Sequence, residues 1–213
     1  MLTLYDYLPS QNAYKVRLLL HHLGIPYRTE LVSIFEGEGQ LPEYLAVNPT
    51  GAVPALRLED GRVIAESNAI LCYLAEGTRY LPDDRYARVK VLQWLFFEQN
   101  YVEPQIGTLR HWRMTGKLPR RSAEVIEARR AASVKALRIL ECELATRFFV
   151  AGADYTIADM AIFAYASRAD EAGIPLDGYP HFRAWVERVK AQEGFLAEMH
   201  PYSIDPHSVG ELP

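Results

Sequence analysis

The sequence predicts an α/β domain followed by an all-α domain, the first in residues 1–80 and the second in residues 86–200. Strand-like and helix-like runs alternate early in the chain, in the order βαβ and then ββα. This order is typical of a four-stranded mixed sheet with helices packed on it. The strand signals then stop near Pro82, and long helical patterns follow. Residues 201–213 contain three prolines and little periodicity, which indicates a surface coil.

Each predicted strand is a short run of apolar or β-branched residues bounded by turn residues. The four strands are expected at residues 2–7, 27–32, 53–58 and 63–65. Asp60-Gly61 stands between the last two, and this dipeptide favours a tight hairpin turn. We therefore expect the third and fourth strands to pair with each other.

The helices are predicted from apolar residues that recur every three or four positions. In the first helix Val16, Leu19, Leu20 and Leu23 follow this spacing, and Gly24 then ends the pattern. The remaining helices are expected at residues 67–76, 88–113, 122–149, 156–172 and 180–192.

Two of these helices carry further local signals. Pro104 lies inside the 88–113 pattern and is expected to kink that helix. Thr156 and Asp159 have the spacing of a capping box at the start of a later helix. We expect the capping box to stabilise the fold and to have no catalytic role.

Composition excludes several classes of protein. Apolar residues make up 49% of the chain and charged residues 23%, which is ordinary for a globular protein. The net charge of −4 argues against nucleic acid as the main partner. No secretory signal and no apolar run long enough to span a bilayer is evident. Cys72 and Cys142 fall in apolar helical patterns and are expected to be buried thiols. The default expectation is a cytoplasmic protein without disulfides.

Two segments together would suit a small peptide with a terminal carboxylate and amine. Pro54 interrupts a strand-like run, and because proline cannot donate to a ladder it marks a strand edge or a bend. An exposed edge can pair with the backbone of a peptide-like ligand. Ser67 stands where a helix begins, with Glu66 just before it, and a helix start offers N–H groups to a carboxylate.

These segments belong to a series of motifs that gives the chain a family resemblance over residues 2–195. The motifs are Ser10-Gln11-Asn12, Asn48-Pro49-x-Gly51-x-Val53-Pro54, Glu66-Ser67-x-Ala69-Ile70 and Thr156-Ile157-Ala158-Asp159. With them, the chain resembles the cytosolic glutathione S-transferase family, in a bacterial, theta- or beta-like form of the serine rather than the cysteine type. The resemblance implies a thioredoxin-like N-terminal domain that binds glutathione as a cosubstrate. It also implies a helical-bundle domain that contributes the site for a hydrophobic electrophile.

The resemblance assigns the glutathione contacts to individual residues. It implies that Pro54 is cis and that the backbone of Val53 pairs with the cysteinyl unit of glutathione. It implies that Ser67 binds the γ-glutamyl carboxylate and that Glu66 takes the ammonium group. Gln40 corresponds to a polar contact to the glycyl end. For Ser67 a plain helix N-cap is the alternative.

The thiolate form of glutathione is the reactive nucleophile, so the site needs a group that lowers the thiol pKa. By resemblance Ser10 is the first candidate, and Asn12, Tyr5 and Tyr7 are the alternatives. A plain N-cap role remains open for Ser10. The loop around Ser10 contains no cysteine, which weighs against a mechanism through a protein mixed disulfide.

The resemblance predicts a dimeric glutathione transferase that conjugates the thiolate to a small hydrophobic electrophile. Candidates for the electrophile site are Tyr7, Tyr101, Arg110, Trp112, Arg113 and Tyr165. A disulfide reductase, peroxidase or isomerase that uses the same glutathione site is one alternative. A non-enzymatic binding module with the same fold is another. No membrane partner and no metal site are expected.

Overall fold

A four-stranded mixed sheet forms the N-terminal part of the computed structural model, which describes residues 1–213. Its strands are β1 (Leu2–Asp6), β2 (Tyr27–Leu31), β3 (Ala55–Arg57) and β4 (Val63–Ala65). The spatial order is β2-β1-β3-β4, with β1 parallel to β2 and the other pairs antiparallel. The predicted mixed sheet and the β3–β4 hairpin are confirmed.

The helices follow the predicted order along the chain. They are α1 (Gln11–His22), α2 (Pro42–Leu45), α3 (Ser67–Ala75), α4 (Arg85–Phe97), α5 (Thr108–Met114), α6 (Ala123–Leu144), α7 (Ile157–Ala166) and α8 (Pro180–Lys190). None of them combines the length and apolar character needed to cross a membrane.

Helix α1 begins and ends where its sequence signals stand. The Ser10 side chain accepts a hydrogen bond from the N–H of Ala13 at 3.2 Å and so caps the helix. Gly24 has φ +61°, a conformation in which L-residues are strained, and it directly follows the last turn. Between these ends Val16 and Leu19 are fully buried, as their spacing predicted.

A small buried cluster with two tyrosines packs against the sheet. Tyr5, Val32, Tyr44 and Ala55 are buried together, and the rings of Tyr5 and Tyr44 meet edge to face with centroids 5.8 Å apart. Tyr44 lies in α2, a single helical turn that begins with Pro42 at its first position. This cluster anchors the chain segment that leads into β3.

The helical part is organised around α7, every residue of which is buried. The side chain of Thr156 caps this helix. The side chain of Asp159 in turn accepts a hydrogen bond from the N–H of Thr156 at 3.0 Å. The predicted capping box is therefore confirmed. The helix ends at Ala166, earlier than residue 172, because the chain continues in turns.

The long helix predicted over residues 88–113 is continuous but not uniform. Between α4 and α5 the backbone winds as a wide π-helix over Glu98–Gly107, with Pro104 inside it. Pro104 has no N–H, so it cannot make the ordinary hydrogen bond to the residue four positions earlier. The helix was expected to kink at Pro104, and in the structure it widens into a π-helix there instead.

The chain divides into two compact units. One contains Met1–Leu74 together with Glu193–Pro213, and the other contains Ala75–Gln192. The C-terminal segment therefore groups with the N-terminal sheet, whereas the sequence predicts that residues 193–200 belong to the helical domain. Its last part contains two 3₁₀ turns, Tyr202–Ile204 and Pro206–Val209, where a coil was expected. Asp205 caps the second turn, since its Oδ1 accepts from the N–H of His207 at 2.9 Å.

Candidate functional site

The site begins where the β3–β4 ladder ends. The peptide bond between Val53 and Pro54 is cis, as the family resemblance implied. The β3–β4 ladder ends with Ala55 opposite Ala65. The two segments singled out in the sequence, Val53-Pro54 and Glu66-Ser67, therefore adjoin the same end of this hairpin.

Hydrogen bonds fix the loop that leads to Val53. Asn48 is buried, and its Nδ2 donates to the carbonyl of Ala52 at 2.7 Å. The hydroxyl of Tyr44 donates to the same carbonyl at 2.7 Å, and Thr50 donates to Asn48 Oδ1 through both its N–H and its hydroxyl. The carbonyl of Ala52, directly before Val53, is thus fixed by two side-chain donors.

Gln40 lies beside this loop. A Cβ atom added to Gly51 would fall 2.5 Å from Gln40 Nε2 and 2.7 Å from the carbonyl oxygen of Gly39. Gly51 also has φ +69°, so glycine meets both a conformational and a steric requirement here. Gln40 itself is exposed. Its amide is therefore placed next to the Asn48–Val53 loop.

Glu66 precedes helix α3 in an unusual conformation. Its φ is +68°, and it is the one residue other than glycine with positive φ. Its carbonyl accepts from the N–H of Ile70 at 2.9 Å, so Glu66 occupies the capping position and Ser67 is the first residue of the helix. The N-cap alternative for Ser67 is therefore wrong. The Glu66 side chain is exposed, and such backbone strain is often found at functional sites.

Ser67 belongs to a polar cluster with two residues of α1. Its hydroxyl donates to Asn12 Oδ1 at 3.1 Å. Lys15 donates to the same oxygen at 2.8 Å, and its Nζ lies 3.4 Å from Ser67 Oγ. The side chains of Lys15 and Ser67 are buried. Sequence reasoning missed Lys15, although it stands three positions after Asn12 and so shares its helix face.

Ser10 is half-buried at the start of α1, two residues before Asn12. Its oxygen accepts the capping hydrogen bond from Ala13. A serine hydroxyl has one proton to donate and two lone pairs, and the cap uses one lone pair only. The cap is therefore compatible with donation of the hydroxyl proton to a ligand.

The two tyrosine alternatives are engaged elsewhere. The hydroxyl of Tyr7 donates to Asp205 Oδ2 at 2.8 Å, and burial together with this hydrogen bond raises the pKa of Tyr7 far above its ordinary value. The hydroxyl of Tyr5 accepts from Arg57 Nε at 2.9 Å and packs in the aromatic cluster on the sheet. Both hydroxyls are thus engaged with residues outside the start of α3.

Two of the electrophile-site candidates have structural contacts within the helical unit. Arg110 is buried and forms an ion pair with Glu171 at 2.6 Å. Trp112 is stacked by two guanidinium groups, those of Arg121 and Arg129, at 4.9 and 5.2 Å from its ring centroid. These two side chains have structural partners already.

The two cysteines were expected to be buried, and this is wrong. Cys72 is partly exposed, and Cys142 is exposed on α6 because it lies outside the apolar stripe of that helix. No group of three or more His, Cys, Asp or Glu side chains is arranged to hold a metal ion.

Two family models match the chain. The model for the glutathione S-transferase N-terminal domain matches residues 9–76, and the model for the glutathione S-transferase C-terminal domain matches residues 123–188. The first match spans Ser10, the cis-proline loop and the start of α3. The second spans α6 and α7.

Solved structures and curated proteins resemble at least 90% of the chain. A glutathione S-transferase from Pseudomonas fluorescens is 39% identical, with a TM-score of 0.89 over 92% of this chain and 97% of that chain. A glutathione transferase from Phanerochaete chrysosporium, solved in complex with oxidized glutathione, is 27% identical, with a TM-score of 0.82 over 91% and 92% of the two chains. A disulfide-bond oxidoreductase from Escherichia coli is 29% identical over 90% of this chain and 91% of its own.

Proposed function

Because the chain belongs to the glutathione S-transferase family, we propose that it binds glutathione and conjugates it, through the cysteinyl sulfur, to a small hydrophobic electrophile. The observation that carries this proposal is that the cis Val53-Pro54 segment and the start of α3 adjoin the same end of the β3–β4 hairpin. The first offers a peptide edge and the second offers donors for a carboxylate.

The proposed ligand contacts follow from the groups that the site presents. The N–H and C=O of Val53 lie beyond the last ladder pair and would bond the cysteinyl unit. The Ser67 hydroxyl and the first N–H groups of α3 would bind the γ-glutamyl carboxylate. The exposed Glu66 carboxylate would take the ammonium group, and Gln40 the glycyl end.

We assign thiolate stabilisation to Ser10 rather than to Asn12. The Ser10 hydroxyl proton is not used by the helix cap, so it is available to a thiolate. The carbonyl oxygen of Asn12 is held by Ser67 and Lys15, which gives Asn12 a positioning role.

In the proposed reaction the glutathione thiol releases its proton to solvent. Its sulfur then forms a bond to the electrophilic carbon, and the leaving group departs with its electron pair.

A matched pair of variants tests the role of Ser10. Ser10→Ala and Ser122→Ala each remove a helix cap, since Ser122 Oγ accepts from Val125 N at 3.3 Å as Ser10 accepts from Ala13. Each should lose about 0.5–2 kcal/mol of stability. Only Ser10→Ala should raise the pKa of bound glutathione, measured as lost thiolate absorbance near neutral pH. If thiolate absorbance and turnover are unchanged in Ser10→Ala, thiolate stabilisation is assigned to Asn12 instead.

A disulfide reductase is the second candidate, favoured by the likeness to the Escherichia coli disulfide-bond oxidoreductase. In that reaction one glutathione thiolate attacks a disulfide sulfur and forms a mixed disulfide, while the displaced thiol takes a proton. A second glutathione thiolate then releases oxidized glutathione and the remaining thiol. The protein supplies no cysteine at the Ser10 loop, so both electrons would come from glutathione.

Parallel assays distinguish the two reactions. Conjugation of a chloronitrobenzene substrate should exceed glutathione-dependent reduction of a small disulfide when both are compared at equal protein concentration. The reverse ranking would replace the transferase by the reductase. Failure to bind glutathione at millimolar concentration would contradict both and leave a binding module of the same fold.

We further propose a homodimer, because α4 carries an exposed apolar stripe. Tyr86, Val89 and Phe96 lie on one face of this helix and are 74%, 53% and 66% exposed. Exposed apolar patches of this kind typically mark a protein contact. Sedimentation velocity should give the dimer mass, and Phe96→Lys should shift it to the monomer.

A further inference from the structure

A cleft lies between the sheet and α2, within the N-terminal unit. Its volume is about 340 Å³, which is in the range of small-molecule sites. Two of its lining residues, Val32 and Tyr44, are buried. Two others, Leu31 and Leu41, are 61% and 50% exposed. The cleft therefore offers an apolar wall that solvent can reach.

Arg57 of β3 lies in this cleft without a carboxylate partner, and we call the site the Arg57 cleft. Its Nε and Nη2 both donate to the hydroxyl of Tyr5, at 2.9 and 2.5 Å, and its Cζ lies 5.4 Å from the centroid of the Tyr5 ring. Arg57 is partly buried, and removing a charge from water is costly unless an opposite charge compensates. Here the polar partner is a neutral phenol.

The two side chains keep donors that no group of the chain uses. An arginine has five N–H donors and a tyrosine hydroxyl has one. The hydrogen bonds to Tyr5 leave Nη1 of Arg57 without an acceptor, and the Tyr5 hydroxyl accepts from Arg57 but donates to no atom of the chain. Because the two groups contact each other, their donors can reach the same acceptor. A carboxylate, with two oxygens and no donor, matches this pair.

Three glutamates also line the cleft, and none of them neutralises Arg57. Glu30 forms an ion pair with Arg28 at 2.6 Å. Glu38 is exposed, and its Oε2 accepts from the N–H of Ser33 at 2.6 Å. Glu43 is exposed in the first turn of α2. Their negative charge disfavours a ligand with several acidic groups, so the chemistry of the cleft selects a single carboxylate.

We propose that the Arg57 cleft binds a small apolar molecule that carries one carboxylate. The carboxylate accepts from Arg57 Nη1 and from the hydroxyl of Tyr5. The apolar part of the ligand packs against Leu31, Val32 and Leu41, which line the same cleft. None of the residues that line the cleft is among the proposed glutathione contacts, so this is a second site that does not depend on the first.

Titration calorimetry with octanoate, octan-1-ol and octylamine tests this site, since the three probes differ only in the polar group. Octanoate should bind wild type at or below millimolar concentration and about tenfold more tightly than the other two. Arg57→Met should weaken octanoate binding about tenfold or more, because charge-assisted hydrogen bonds are lost, and should change octan-1-ol binding little. Arg62→Met removes an exposed arginine of the β3–β4 hairpin and controls for the change in net charge.

Tyr5→Phe provides a second measurement, because it keeps the buried ring and removes only the hydroxyl. It should weaken octanoate binding about fivefold, and this result decides the test if urea denaturation shows that Arg57→Met does not fold. The inference is overturned if wild type does not bind octanoate, if the folded variants bind it as wild type does, or if octylamine binds more tightly. Glutathione titration of the same wild-type preparation tests the proposed function separately.

Discussion

The N-termini of α3 and α7 each have a Ser or Thr with an acidic residue close by in the sequence. They differ in where that acidic side chain lies. At α7 the protein supplies its own anion, because Asp159 lies in the first turn and is fully buried. At α3 the first turn contains no acidic residue, and the preceding Glu66 is exposed in a strained conformation. The start of α7 is closed by a carboxylate of the chain itself, whereas the first turn of α3 has no acidic residue, and we propose that an external carboxylate binds there.

The α7 start is saturated with hydrogen bonds. Asp159 Oδ1 accepts from Val150 N at 3.0 Å and from Trp185 Nε1 at 2.9 Å. Asp159 Oδ2 accepts from the N–H and the hydroxyl of Thr156 at 3.0 and 3.2 Å. One carboxylate thus joins α7, α8 and the chain segment before α7, and no donor is left for a ligand.

Removing Asp159 should give the largest effect on stability. Asp159→Ala should lower the free energy of unfolding by about 3 kcal/mol or more, since each buried donor left unpaired costs about 1–3 kcal/mol. Urea denaturation measures this loss. Asp154→Ala is the matched control, because Asp154 is exposed five residues earlier and should change stability little. Equal effects of the two variants would show that the α7 start is not the structural anchor described here.

The pH dependence of stability sharpens the contrast. Burial raises the pKa of Asp159 to about 6 from an ordinary value of 3.8. The folded protein therefore holds this proton more tightly than the unfolded chain, and the stabilising contribution is complete below pH 3.8 and lost as pH rises through about 6. Wild type should gain about 1 kcal/mol over Asp159→Asn when the pH falls from about 7 to about 5. Urea unfolding of both proteins at the two pH values checks this, and a constant difference would contradict it.

A substitution at the start of α3 should lower the free energy of unfolding less than the substitutions at the start of α7. Ser67→Ala removes a hydroxyl that bonds to Asn12 but does not cap the helix, so the expected loss is about 1 kcal/mol or less. Urea denaturation again measures it. A loss as large as that of Asp159→Ala would mean that both helix starts are structural.

Much of the fold could be predicted because its signals are local. Strand β4 has the expected bounds, and Ser10, Ser122 and Thr156 each cap the helix that follows them. The π-helix over Glu98–Gly107 could not be anticipated in detail, since Pro104 predicts a disturbance but not the winding that absorbs it.

The site was predictable where its residues act through backbone geometry. The family resemblance implied the cis peptide before Pro54, and the predicted hairpin brings the Val53-Pro54 and Glu66-Ser67 segments to the same end of the sheet. Lys15 was missed because a lysine in an apolar run looks like an exposed interruption until the partner from α3 is in place. The Tyr7–Asp205 hydrogen bond joins residues 198 positions apart, and no local pattern announces such a contact.

Calorimetric titration of wild type and Ser67→Ala with glutathione tests the central claim most directly, namely that the start of α3 is kept open for a ligand carboxylate. We predict that wild type binds at or below millimolar concentration and that Ser67→Ala binds about tenfold more weakly, because a hydrogen bond to a charged group is lost. Both proteins should unfold at similar urea concentrations, so that the loss belongs to the site. No binding by wild type, or equal binding by both, would contradict the claim.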